Sequence, residues 1–160
     1  KAGFEDKKEK LAEISKRGQF IKDELVKAID DDTTAFDKVI KAMRMPKDTE
    51  KEKETRESEM QKGYQSATLV PLKTVEDCRN ALQICLDISE IMDEGMASDV
   101  GSGALMANAG AISAAYNVRI NIKSITDKKF SNNTKKKLTE LLSDCEKLLG
   151  KISINVEQCL

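Results

Sequence analysis

From Leu11 to Met43 the apolar residues recur at steps of three, four or their sums: Leu11, Ile14, Ile21, Leu25, Ile29, Phe36, Val39 and Met43. That spacing lines one face of an amphipathic helix, and a strand cannot use it. The same period returns at Met60, Gly63, Tyr64 and Ala67, at Val75, Cys78, Leu82, Cys85, Leu86 and Met92, and at Leu138, Leu141, Cys145, Leu148, Ile152, Val156 and Cys159. No stretch alternates with period two, and only two prolines interrupt the chain. The sequence therefore predicts an all-α fold, an antiparallel bundle of about five long helices joined by short loops.

The expected boundaries follow from caps and breakers. The first helix runs from about Glu5 to Arg44 and stops near Pro46. Asp48 or Thr49 caps the second, whose charged start is Glu50 to Glu59. Pro71 kinks this helix or separates it from the third, which ends near Gly95. Ser98 or Asp99 caps a fourth helix, Gly101 to Lys123. Its small residues Gly101, Gly103, Ala104, Ala107, Ala111, Ala114 and Ala115 suit a central helix with close neighbours. A last helix begins at about Thr134. A chain of 160 residues is one domain, 1–160, with room for a real core.

One residue breaks the first stripe. At about 100° per residue, Gly18 and Asp32 fall inside it, whereas Asp30 and Asp31 fan out to the flanks. A carboxylate at a core-facing position has to be paired, hydrogen-bonded or protonated, because an unpaired buried ion costs several kcal/mol, roughly. Asp32 is thus the leading catalytic candidate. The competing reading is that the helix edge is exposed here or that Asp32 anchors a structural ion pair. If the first two helices pack antiparallel about Pro46, Asp32 is level with about Met60, and Arg56 lies one turn away. Arg56 then pairs either with Asp32 or with Glu52, four residues before it. Arg44 and Lys47 sit at the helix end, where the dipole favours cations in any case.

Composition excludes several chemistries. There is no histidine, which removes the commonest general base and zinc ligand. Cys78 and Cys85 are one heptad apart and Cys145 and Cys159 two, too far along a helix for a local disulfide and unlike the close spacing of a zinc site. Core thiols in a reducing compartment are the simple reading, with no metal. With 27 basic and 28 acidic residues the net charge is -1, so no overall field attracts nucleic acid or an anionic membrane. The run Val100 to Ile122 carries Asn108, Asn117 and Arg119 and reads as a buried helix rather than a membrane span. The basic cluster from Lys128 to Lys137 begins a solvated helix face. Asn117 and Asn121, four apart, face one side of their helix, which suits cross-helix hydrogen bonding or a ligand.

The segments Asp30-Asp31-Asp32-Thr33-Thr34-Ala35-Phe36, Ala42-Met43-Arg44-Met45-Pro46-Lys47, Glu52-Lys53, Arg56, Gln61 and Val70-Pro71-Leu72 resemble the cyclodeaminase domain of the formiminotransferase-cyclodeaminase family. Ser98-Asp99, Asn117-Val118-Arg119-Ile120-Asn121 and Ile125-Thr126-Asp127 continue the resemblance in the same order. It implies a cytoplasmic, homodimeric, all-helical enzyme of folate one-carbon metabolism, with a tetrahydrofolate derivative as substrate and no permanently bound cofactor. Members release ammonia from 5-formiminotetrahydrofolate while closing the 5,10-methenyl ring, or hydrolyse that ring as cyclohydrolases. By this resemblance Asp32 matches the aspartate regarded as catalytic, with Asp30 as second choice. Arg56, Lys47 and Arg44 become candidates for the carboxylate tail of the folate, and Asp99, Asn117 and Asn121 further substrate-binding candidates.

The proline, three glycines and serine with which family members usually begin have no counterpart here. The start at Lys1 favours an N-terminal Gly-rich helix lying outside the sequence over a degenerate relative. The expectation is a cyclodeaminase, then a cyclohydrolase. The rival is a non-catalytic helical bundle for oligomerisation or folate binding.

Overall fold

The computed structural model describes residues 8–160 as four helices: α1 (Lys8–Met43), α2 (Glu50–Ser89), α3 (Glu94–Ile122) and α4 (Lys128–Cys159). The all-α class is as expected; the count is four because α2 passes through Pro71 without ending. The expected start of the first helix at Glu5 lies outside the described residues.

Proline inside a helix removes one N–H and crowds the carbonyl four residues back, here that of Ala67. Asn121 on α3 donates its side-chain N–H to that carbonyl at 2.7 Å, so the orphaned acceptor is satisfied from a neighbouring helix. Thr49 caps α2 by accepting from the Glu52 N–H, while the Glu52 carboxylate accepts from the Thr49 N–H at 2.8 Å. This reciprocal box commits Glu52 to the cap. Two other helices start earlier than their polar patterns predict. Asp93, not Ser98 or Asp99, occupies the cap position of α3, and Asp127 caps α4 by accepting from the Phe130 N–H at 3.0 Å.

The helices run antiparallel. Val39 meets Gly63 while Arg17 pairs with Asp87, and Cys85 and Cys78 of α2 lie against Gly103 and Gly110 of α3. At Gly63 an added Cβ would lie 3.0 Å from a Val39 methyl and 3.2 Å from its backbone, so this close approach requires glycine. The main core fills the space among α2, α3 and α4, with Val75, Leu82, Val118, Cys145 and Ile152 all but sealed from solvent. The small-residue α3 is not the centre of the bundle. That place belongs to α2, which touches all three others, whereas among the described residues α1 touches α2 alone. No described helix is long and apolar enough to cross a membrane.

Candidate functional site

Because α1 has a single neighbour, it buries a seam rather than a broad face. The seam is Ile14, Ile21, Ala35, Val39 and Ala42, with Leu25 and Ala28 half-buried. It follows a strict seven-residue repeat, narrower than the apolar stripe of an ordinary globular helix. Three residues expected inside, Ile29, Phe36 and Met43, are instead 69%, 54% and 41% exposed. Asp32 is exposed too, as is Asp30, and the expectation of a core-facing carboxylate is overturned. By that repeat Asp32, seven residues from both Leu25 and Val39, stands in the seam's own register, at the border with this uncovered apolar edge, yet it is exposed.

The register of the helices fixes what stands opposite. Since Val39 meets Gly63, Asp32 is level with Val70 of α2, nearly three turns beyond the expected Met60. Since Asn121 reaches Ala67, Asn117 of α3 is level with Pro71. The opposite edge of α1, carrying Glu24, Lys27 and Asp31, closes a cleft of about 230 Å³ with Ser66, Leu69, Lys73 and Asp77, residues on the flank of α2 turned away from α3. The Asp32 edge therefore faces the α3 side. Asp32 and Asn117, an acid and a carboxamide, thus stand level with neighbouring residues of α2, on two helices that both pack on α2 without touching each other and so leave a groove between them. Both residues are exposed.

The remaining candidates divide. Arg44 and Lys47 are exposed in the turn after α1, and Arg56 is half-buried beside them, its Nε donating to the carbonyl of Met43 at 3.3 Å. Arg56 therefore pairs with neither Asp32 nor Glu52; the longer offset between α1 and α2 carries it past Asp32, and the cap holds Glu52. These basic groups sit about 16 Å along the bundle from Asp32, taking about 1.5 Å per residue from Met43. Asp99 lies inside α3, about 27 Å from Asn117 along the same helix, so one chain does not bring it into this groove. Asn121 has its amide N–H committed to Ala67. Gln61 clamps the turn between α3 and α4, donating to the Ser124 carbonyl and accepting from the Thr126 N–H.

The buried carboxylate among the described residues is Asp77, 2% exposed, hydrogen-bonded to Lys73 on the same helix; Lys73 also lies 3.8 Å from Glu24. Burial pushes the Lys73 ammonium down, but its bond to Asp77 and the charges of Asp77, Glu24 and Glu76 outweigh this and hold it above its ordinary value. The signal in the sequence was the four-residue spacing of Lys73 and Asp77 beside Val75 and Cys78. Among the described residues no group of three acidic or thiol side chains is placed to hold a metal.

These features define a helical-bundle domain with a polar groove between neighbouring helices, the kind of position where such bundles carry small-molecule sites. The sequence pattern of the formiminotransferase-cyclodeaminase family matches residues 1–140, and the chain belongs to that family. It is 33% identical over 142 residues to a methenyltetrahydrofolate cyclohydrolase of Methylorubrum extorquens, covering 89% of this chain and 68% of the relative. It is 36% identical over 124 residues to a formimidoyltransferase-cyclodeaminase of Gallus gallus, covering 78% of this chain but only 23% of that longer protein. The crystal structure of a formiminotetrahydrofolate cyclodeaminase from Thermotoga maritima superposes with a TM-score of 0.87 over 99% of this chain and 75% of that one; at 24% identity this likeness establishes the fold.

Proposed function

We propose that the protein is a cytoplasmic folate one-carbon enzyme that closes 5-formiminotetrahydrofolate to 5,10-methenyltetrahydrofolate with release of ammonia. The support is the position of Asp32 on the wall of an open groove, level with Asn117, in a chain of this family. In the reaction the formimino group reacts as its protonated amidinium: N10 attacks its carbon, a new C–N bond forms, the bond to the departing nitrogen breaks, and N10 loses its proton, so that the methenyl cation and neutral ammonia result. Asp32 takes that proton as base and returns it to the leaving nitrogen as acid, which needs one carboxylate within reach of both nitrogens. Asn117 is placed to hydrogen-bond the pteridine from the opposite wall. The folate skeleton extends along the groove toward the turn, where Arg56, Arg44 and Lys47 receive its carboxylates.

Ile29, Phe36 and Met43 of α1 and Leu105, Met106 and Ile120 of α3 are large apolar residues left exposed in the single chain. We assign them to a homodimer interface that would close the groove from water. A second reaction, hydrolysis of the methenyl ring, is favoured by one observation: the cyclohydrolase relative is matched over 68% of its length. Ammonia release from the formimino substrate, measured against hydrolysis of methenyltetrahydrofolate, separates the two. Asp32→Asn is expected to lower kcat by about 10²–10⁴-fold with the fold intact by circular dichroism. Turnover of neither compound by the wild-type protein would leave only the non-catalytic bundle.

A further inference from the structure

We propose that the hollow between the carboxyl end of α3 and the start of α4 binds a compact polyanion of the oligophosphate kind, distinct from the folate substrate. The hollow holds about 310 Å³ and is lined by four cations, Arg119, Lys123, Lys128 and Lys135, and by no carboxylate. Its floor is apolar, with Ile122 5% and Ile125 4% exposed. Asn132 adds a side-chain amide at the rim.

The convergence of these charges, with no carboxylate among them, supports this. Lys136, Lys137 and Lys147, which point elsewhere, lie within ion-pair distance of Glu140, Glu76 and Asp144. The lysines that line the hollow, with Lys123 opposite, have no ion-pair partner among the described residues. Arg119 has only the ring of Tyr116, 6.0 Å from its guanidinium carbon. All lysines of the run Lys128 to Lys137 are exposed, and Lys129, outside the hollow, is also without an ion pair among the described residues; what sets Lys128 and Lys135 apart is that they converge with Arg119 and Lys123 on one hollow. Four like charges gathered over an apolar floor repel one another, and a multiply charged anion turns that repulsion into attraction.

Three ammonium groups, two from α4 and one from the end of α3, suit the many oxygens of a phosphate chain better than a single carboxylate, which a planar arginine fork would match alone. The site also lies away from the Asp32 groove. It opens between α3 and α4, whereas Asp32 belongs to α1, which touches neither.

Isothermal titration calorimetry of the chain with inorganic triphosphate at low ionic strength tests this. Saturable binding at one site per chain, weakening as salt is added, is expected. Lys128→Glu/Lys135→Glu should weaken it by about tenfold or more. Lys136→Glu/Lys147→Glu, the same charge change on the same helix outside the hollow, should weaken it by less than about threefold. Thermal melts check that both remain folded, and Lys128→Gln/Lys135→Gln replaces the reversal if it does not. Absence of saturable binding, or equal weakening by the two double variants, overturns the proposal. ATP binding more tightly than triphosphate would name a nucleotide as the source, the reverse a free oligophosphate, and either upholds the site. Displacement of triphosphate by tetrahydrofolate would make the hollow part of the substrate groove and overturn its independence.

Discussion

Pro71 leaves the Ala67 carbonyl without its helical donor, and Asn121 supplies one from α3. Each residue is explained by the other. Truncating Asn121 alone strands a buried acceptor, so Asn121→Ala should cost about 1–3 kcal/mol in urea denaturation. If the pairing is the reason, Pro71→Ala returns a backbone N–H to Ala67, and the double variant should recover much of that loss, giving a coupling well beyond additivity. Additive losses would show that Asn121 has another role. The two carboxylates teach a related lesson. Asp32 reads as misplaced because it stands in register with Leu25 and Val39, and that angle is right; yet it lies on the border of the seam toward an edge of α1 that no described helix covers, and it stays exposed. Asp77 reads as an ordinary surface pairing with Lys73, yet helices pack on several sides of α2 and bury it. Periodicity gives the angle of a residue about its helix; the number of neighbours that helix has is a tertiary fact, and it decides which angles are buried.

At the scale of the element, the α1–α2 seam makes opposite demands on two glycines. Around Gly18 nothing lies within 4 Å of an added Cβ, so Gly18→Ala should stabilise by up to about 1 kcal/mol through helix propensity alone. At Gly63 the same gain is opposed by contacts of 3.0 Å to the Val39 methyl and 3.2 Å to its backbone, and backbone cannot step aside without moving α1. Gly63→Ala should therefore destabilise, by about 1–3 kcal/mol as for an overpacked core, with melting temperatures moving in opposite directions for the two variants. The helices themselves were legible from apolar spacing, and the stop of α1 from Pro46. What misled was punctuation read without context. Pro71 marks a break only if no outside donor meets Ala67, and Ser98-Asp99 mark a start only if the polar residues before them cannot be helical. Asp127, directly before the basic run, was the readable start of α4.

For the whole molecule, the junction of α2, α3 and α4 sets the response to alkali. Burial pushes the thiols of Cys78, Cys85 and Cys145 upward, Cys78 to about 11, with the neighbouring Cys145 adding to the Cys78 shift. All four cysteines are free. A thiol protonated in the folded chain but ionised in the unfolded one binds more protons when folded, so stability falls as pH rises above the ordinary value of 9.0 and levels off only past the folded value. Each such thiol steepens the fall by up to about 1.4 kcal/mol per pH unit. Lys73 acts in the same direction: its raised value means the ion pair with Asp77 stabilises fully below 10.5 and is lost as pH climbs through the folded value. Denaturant midpoints measured from pH 8 to 11 should thus be flat at first and then decline above pH 9. Cys78→Ala separates the causes. It lowers stability at pH 8 by leaving a small cavity against Gly110, yet it should make the decline between pH 9 and 11 shallower, since the buried thiol that resists ionisation is gone. An unchanged slope would place the alkaline sensitivity in the other buried thiols, Cys85 and Cys145, or in Lys73 with Asp77 instead.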